Sequence, residues 1–332
     1  MRYTITLAGI DVTEWVREQP TFENRKSEIG GFLELQNVDL MMDNTSDLFV
    51  PGGTRSIVDA DFVGDPVLIL DNLLIVYEGE VKAVTISDNG RTAQIYTTNR
   101  LNRKVNAALA TYTDELYTFA ELSERLYGFI GVEVDNASYT RAKTKQTALL
   151  MQGRIQVTPQ SQTTVQQLQY QLASIGMCRH YFVDNKAYME YYDVDDVRTI
   201  AHTFTDEDLI DVQTLESIER DVYDGYDVVT QSGTASKLGT FPLPSINADS
   251  TQTIMIPTIE TGINIGEQWI KTSAKERTRI TASLNTSTAA KALSFQSAFR
   301  ITSDVMGFLR DYEITAYDGS GQIRILIEGE SI

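Results

Sequence analysis

The first hundred residues alternate apolar and polar side chains with a period of two, and the alternation breaks repeatedly at Asp-Asn and Asn-Gly pairs. Tyr3, Ile5 and Leu7 interleave with threonines. Leu33 and Leu35 interleave with Glu34 and Gln36, and Val38, Leu40 and Met42 follow. After Gly64, Asp65 and Pro66 the pattern resumes at Val67 and Ile69 and turns at Asp71-Asn72. It continues through Leu74, Val76, Val81 and Ala83. A last pair, Val84 to Ile86 and Ala93 to Ile95, flanks Asp88-Asn89-Gly90. Such punctuation is a strong short-range signal for antiparallel hairpins, because Asn and Gly tolerate the left-handed backbone of tight turns. This part of the chain therefore reads as a β meander around one long polar loop, Asp43 to Phe62.

The middle of the chain changes period. Thr118 followed by Glu121, and Thr164 followed by Gln167, are capping boxes in which side chains satisfy orphan N–H groups of a helix start. Phe119, Leu122, Leu126 and Phe129 then fall at helical spacing, with Gly128 and Gly131 as stops. Val165, Leu168, Leu172 and Ile175 do the same, with Gly176 ending the helix. Val132 and Val134 read as a short strand with a turn at Asp135-Asn136. Tyr181 to Val183 and Tyr188 to Tyr191 read as a hairpin about Asp184-Asn185. Each helix is expected to pack its apolar stripe on its own small sheet.

Alternation returns at Ile218 to Thr230, and residues 234–252 are rich in Ser, Thr, Pro and Gly, the composition of an irregular loop. Thr253 to Ile256 and Gln268 to Ile270 read as strands, and residues 286–295 as a short helix. A final hairpin has Tyr312, Ile314 and Ala316 facing Ile323, Ile325 and Ile327. The resulting division is a β unit at 1–104, a helix-containing mixed domain at 105–200, and a second β unit at 201–233 and 276–332. An insertion at 234–275 interrupts that second unit. The fold class is mainly β (α+β), and a chain of 332 residues has the length for two to three domains.

Charge and composition narrow the function. The net charge of −18 opposes gripping nucleic acid, since phosphate affinity comes from Lys and Arg. One cysteine, Cys178, excludes an intrachain disulfide and a multi-cysteine zinc site, and it reads as a buried structural thiol. No apolar run is long enough to cross a bilayer, so no membrane insertion is expected. No secretory signal pattern is present, so synthesis in a cytoplasm is expected.

The histidines, His180 and His202, sit at strand edges without a nucleophile motif nearby. The acidic clusters at Asp193 to Asp196, Asp206 to Asp211 and Asp221 to Asp227 do not follow a calcium-loop spacing. Trp15 reads as a packing residue at a strand-to-loop corner. No catalytic, cofactor or metal site is expected. The candidate functional residues lie instead on the long loop: Asp43, Asn44, Asp47, Leu48, Phe49, Pro51, Arg55 and Phe62, expected to contact a neighbouring subunit or ring. Loops of this length inside a compact domain are usually functional or disordered.

Gly9-Ile10-Asp11-Val12-Thr13 followed by Val16, Leu40 to Asn44 with Leu48-Phe49-Val50-Pro51, Gly64 to Ile69, and Tyr77 to Val81 occur in the order and spacing of a known family. They resemble phage tail hub proteins: the baseplate hub of contractile tails and its counterpart at the tip of non-contractile ones. The match spans residues 1–105 and extends more loosely over 160–230.

The resemblance implies two antiparallel tail-tube-like β-barrels, a smaller mixed α/β domain, and an insertion in the second barrel. It implies a homotrimeric ring whose six barrels imitate a six-fold tail tube and adapt it to a three-fold spike or central fibre. The implied partners are the tail tube protein, distal tail or baseplate proteins and the spike or fibre. DNA would pass through the lumen without specific binding, and the protein would sit in the virion at the tail tip. The alternatives are a hexameric distal tail protein, a tail-associated cell-wall hydrolase and a surface adhesin.

Overall fold

A computed structural model describes residues 3–18, 20, 37–57, 62–71, 74–99, 101, 115–155, 163–183, 186–193, 198–218, 222–243, 246–247, 254–274, 277–285, 287–291, 293, 297–318 and 324–331. Leu33, Leu35, Asn72, Asn185, Gly319 and Ile323, which figure in the expected strands and turns, lie outside the described residues.

The chain opens with β1 (Tyr3–Leu7), β2 (Ile10–Asp11), β3 (Asp39–Asp43), β4 (Pro66–Asp71), β5 (Leu74–Ser87) and β6 (Thr92–Asn99). They form one antiparallel sheet in the order β2-β1-β4-β5-β6-β3. The alternating residues do what their period requires: Ile5, Leu7, Leu40, Met42, Val67, Ile69, Ala93 and Ile95 bury on one face. β5 is a single strand where the sequence suggested two. Val81 pairs with Thr97 but Ala83 with Tyr96, so one residue is extruded as a bulge. The bulge flips the phase of the strand: Val81 faces the core, and beyond it Val84 and Ile86 do.

Residues 10–17 join the two edges of this sheet. β2 pairs with β1, Val12 N donates to Ile5 O, and Ile5 N donates to Thr13 Oγ1 at 2.8 Å. Val16 then forms an antiparallel bridge with Met42 on β3, and Arg17 N donates to Met41 O.

The middle elements are β7 (Tyr117–Thr118), α1 (Phe119–Ile130), β8 (Glu133–Val134), α2 (Asn136–Ala148), β9 (Gln152–Ile155), α3 (Val165–Ile175), β10 (Cys178–Val183) and β11 (Lys186–Tyr191). Both expected capping boxes are present, at Thr118/Glu121 and Thr164/Gln167. Gly131 terminates α1 in the left-handed conformation at φ +73°, whereas Gly128 lies inside the helix. Asp135 begins a helix rather than a turn: its carboxylate accepts from Ser138 N at 2.7 Å and caps α2.

Next come β12 (Ile200–Phe204), β13 (Leu209–Ile218), β14 (Tyr226–Thr230), β15 (Gly233–Lys237), β16 (Ile246–Asn247), β17 (Ile254–Met255) and α4 (Ile259–Ser273). Gln268 to Ile270, expected as a strand, belong to α4. β14 pairs with β15 and β16, and β17 pairs with β9. Tyr226, Val228, Ala235, Ile254 and Ile265 share one core with α1, α3 and β10. The helices and three-stranded sheets of the middle region thus close on a common core, not one core per helix.

The chain ends with β18 (Arg277–Asn285), α5 (Thr288–Lys291), β19 (Ala298–Ser303), β20 (Phe308–Asp318) and β21 (Arg324–Ser331). These join β12 and β13 in a second six-stranded sheet, β12-β19-β20-β21-β18-β13. Its core holds Ile280, Ala282, Leu284, Phe299, Ile301, Tyr312 and Ile314.

Its order repeats the first sheet: β1-β4-β5-β6-β3 corresponds to β12-β19-β20-β21-β18, and Val16 stands where β13 stands. One strand differs in direction, since β12 runs parallel to β19 while β1 is antiparallel to β4. The edges are again joined, here by the turn Thr205 to Asp208. Asn285 at the end of β18 donates from N to Asp208 O and from Nδ2 to Glu207 O. Asp206 accepts from Asp304 N at 2.9 Å, just beyond β19.

Candidate interaction surface

In the connection from β3 to β4, the described residues 44–57 are organised by one buried side chain, Asn44. Asn44 N donates to Arg91 O at 2.8 Å, and its Nδ2 donates to Gly90 O at 2.7 Å. Its Oδ1 accepts from Phe49 N at 2.8 Å. The loop is thereby tied to the turn between β5 and β6. Its neck closes where Ile57 N and Ser56 Oγ both donate to Leu48 O. Asp47 at φ +58° and Gly52 at φ +68° supply the left-handed bends.

The loop's side chains separate by exposure. Asn44, Phe49 and Phe62 are buried in this chain's own core, and Trp15 meets Phe49 edge-on at 6.1 Å. Leu48 is half-buried against the same core. Asp43 is also half-buried. It accepts from Thr45 N, whose N–H holds the carboxyl below its usual range, and it pairs with Arg17 at 3.4 Å. Asp47, Pro51 and Arg55 are exposed. Of the expected contact residues, these three stand free on a frame that the other five help to build. In the second sheet the corresponding connection, β18 to β19, carries α5, and Ala290 and Leu293 of that connection are buried in the same manner.

A second structural feature escapes local sequence patterns. β10 carries alternate side chains into two cores. Cys178 lies in the middle core, whereas Tyr181 joins the core of the second sheet, stacked on Tyr188 at 4.9 Å. Arg179 forms a buried ion pair with Glu313 of β20 at 2.7 Å, with Arg198 3.9 Å away from the same carboxylate. The one local hint of a strand buried on both faces is the unbroken apolar run Tyr181-Phe182-Val183.

The remaining candidates sit in structural roles. Cys178 is buried, and desolvation pushes its thiol well above the usual range, so it stays protonated and unreactive. His180 is buried on β10 with Nδ1 3.5 Å from the Tyr127 hydroxyl. Burial lowers its pKa to about 4, which keeps it neutral at physiological pH. His202 lies on β12, half-exposed beside Phe204. Asp208 caps its own turn by accepting from Thr205 N and Oγ1. Among the described residues no group of three or more His, Cys, Asp or Glu side chains could hold a metal ion, and no helix is long and apolar enough to cross a membrane.

No protein-family model matches the sequence, and no curated protein matches it. Solved structures do. The chain aligns over 100% of its length, and 98% of the other's, with the prophage MuSo2 43 kDa tail protein from Shewanella oneidensis, at TM-score 0.51 and 13% identity. A tail protein from Neisseria meningitidis MC58 aligns over 99% and 97% at TM-score 0.49 and 9% identity. Prophage tail protein gp18 from Listeria monocytogenes EGD-e aligns over 99% and 94% at 0.47 and 10%. The likeness to the Shewanella protein is one of fold: a β-rich architecture followed from end to end.

Proposed function

We propose that this chain is a structural component of a phage tail or a related injection machine, acting as its hub. The observation that carries the reading is the repeated strand order. One chain holds two six-stranded sheets whose order corresponds over five strands, one of them reversed in direction, and each sheet has its edges joined by a short segment. In this reading each sheet is a closed tail-tube-like barrel, since joining staggered edges is what barrel closure requires. Three chains then supply six barrels in a ring, adapting a six-fold tube to a three-fold spike or fibre.

The first barrel comprises residues 1–104, and the second is built from 201–218 and 276–332. The middle domain takes in residues 105–200 and, through the shared core, 222–274. Asp47, Pro51 and Arg55 contact the adjoining subunit or the tube ring. The −18 charge suits a lumen past which DNA slides without binding.

The test is solution mass with electron microscopy of the purified protein alone and mixed with tube protein. A trimer forming three-fold rings that cap tubes supports the reading. A strict monomer that binds neither tube nor spike overturns it, and a hexamer would point to a distal tail protein. Clearing of purified cell walls, abolished by one carboxylate substitution, would replace the structural role with an enzymatic one.

A further inference from the structure

The turn between β19 and β20 presents apolar side chains to solvent on a rigid mount. Val305 is 86% exposed, Leu309 60% and Met306 39%. Exposed apolar residues scattered singly need no explanation, but three at one hairpin tip form a patch.

The tip is held in place. Asp206, from the turn joining β12 to β13, accepts from the Ser303 hydroxyl and from the N–H groups of Asp304 (2.9 Å) and Val305 (3.2 Å). Ser303 Oγ in turn accepts from Met306 N at 3.0 Å, and Gly307 at φ +67° makes the reversal. An apolar tip fixed before binding loses little conformational freedom when it docks.

The surroundings select the partner. Asp206, Glu207, Asp208 and Asp304 lie at the two connected turns, and the nearest cation on the tip strand is Arg310. This rim repels an anionic membrane surface. A second copy presenting the same acidic turns is disfavoured at this tip for the same reason.

We propose that Val305, Met306 and Leu309 form a preorganised anchor that inserts into an apolar pocket rimmed by Lys and Arg on a different protein. The inference stands independently of the hub reading, because it rests on the tip alone.

The test places a photoreactive benzoylphenylalanine at Val305 of the full chain, with the same group at exposed Leu238 as control, in the cell that carries the gene. The expected result is a heterologous adduct from position 305 alone. Mass spectrometry should map it to an apolar segment flanked by basic residues, and adding Leu309→Asp should reduce it at least tenfold. No adduct, an adduct between copies of this chain, or one mapped to an acidic or neutral surface overturns the proposal. So does flotation of the protein, lost in the Val305→Asp/Leu309→Asp variant, with vesicles of phosphatidylcholine and phosphatidylglycerol. Unchanged circular dichroism and solution mass of that double variant would show that the tip is not needed for folding.

Discussion

Arg179 Nη1 lies 2.7 Å from Glu313 Oε1, and both side chains are almost wholly withdrawn from water. The pair ties β10 of the middle region to β20 of the second sheet, and the stacked Tyr181 and Tyr188 of the β10–β11 hairpin pack into that sheet's core. Removing one partner leaves the other charge buried without its closest counter-ion. Arg179→Met or Glu313→Gln should therefore cost about 3–5 kcal/mol in urea unfolding. The double variant Arg179→Met/Glu313→Leu should recover much of that loss, because two apolar groups carry no desolvation penalty. Single-variant losses below about 1 kcal/mol would mean the pair is no stronger than a surface one.

Two helical glycines should respond to alanine with opposite signs. Gly128 in α1 has open space where a Cβ would stand, so Gly128→Ala gains helix propensity and should stabilise by about 1 kcal/mol. Gly266 in α4 sits against the Tyr226 ring, where a Cβ would come within 2.3 Å of Cγ. Gly266→Ala should destabilise by about 1–3 kcal/mol through overpacking. Thermal unfolding of both variants decides it; a stabilised Gly266→Ala would mean that α4 can move away from β14.

Glycines at close approaches also explain why parts of the fold are hard to read from sequence. α4 has Gly262 and Gly266 where an amphipathic pattern would place apolar residues, because the helix approaches Thr230, Val228 and Tyr226 closely. Trp269-Ile270 then imitates a strand. α2 buries Ser138, Tyr139, Ala142 and Gln146, a mostly small and polar set with no stripe to detect. Its one local signal is the Asp135 cap, which reads equally as a turn. By contrast, both capping boxes and the β5–β6 hairpin were legible, since each depends on residues within a few positions of one another. On the loop from Asp43, length and polarity were visible, but Asn44, Phe49 and Phe62 turn inward because the sheet offers them a core. The Arg179–Glu313 contact joins strands far apart in the chain, and no periodicity announces it.

His180 should make stability depend on pH. Its folded pKa of about 4 lies below the ordinary 6.5, because burial disfavours the imidazolium. Between these values the unfolded chain binds the proton and the folded chain does not, so the contribution is complete above pH 6.5 and lost as pH falls towards 4. The integrated effect is roughly 3 kcal/mol. Urea unfolding from pH 7 to 4 should show His180→Phe losing less stability than the unmodified protein by that order. Parallel profiles for the two would mean that His180 titrates normally.

Asn44 separates the folding role of the long loop from its proposed contact role. Asn44→Ala removes the Gly90 and Phe49 hydrogen bonds at a fully buried position, leaving a carbonyl and an N–H without their partner. It should destabilise the first sheet by about 2–4 kcal/mol. Replacing exposed Asp47, Pro51 and Arg55 together with alanine should leave unfolding within about 1 kcal/mol of the original, as surface changes usually do. Under the proposed function, the triple variant should nevertheless fail to assemble into rings or to cap tubes in the mixing experiment. Normal assembly by a folded triple variant would remove the loop from the interface. Assembly lost only in Asn44→Ala would show that the loop's shape matters and its exposed chemistry does not.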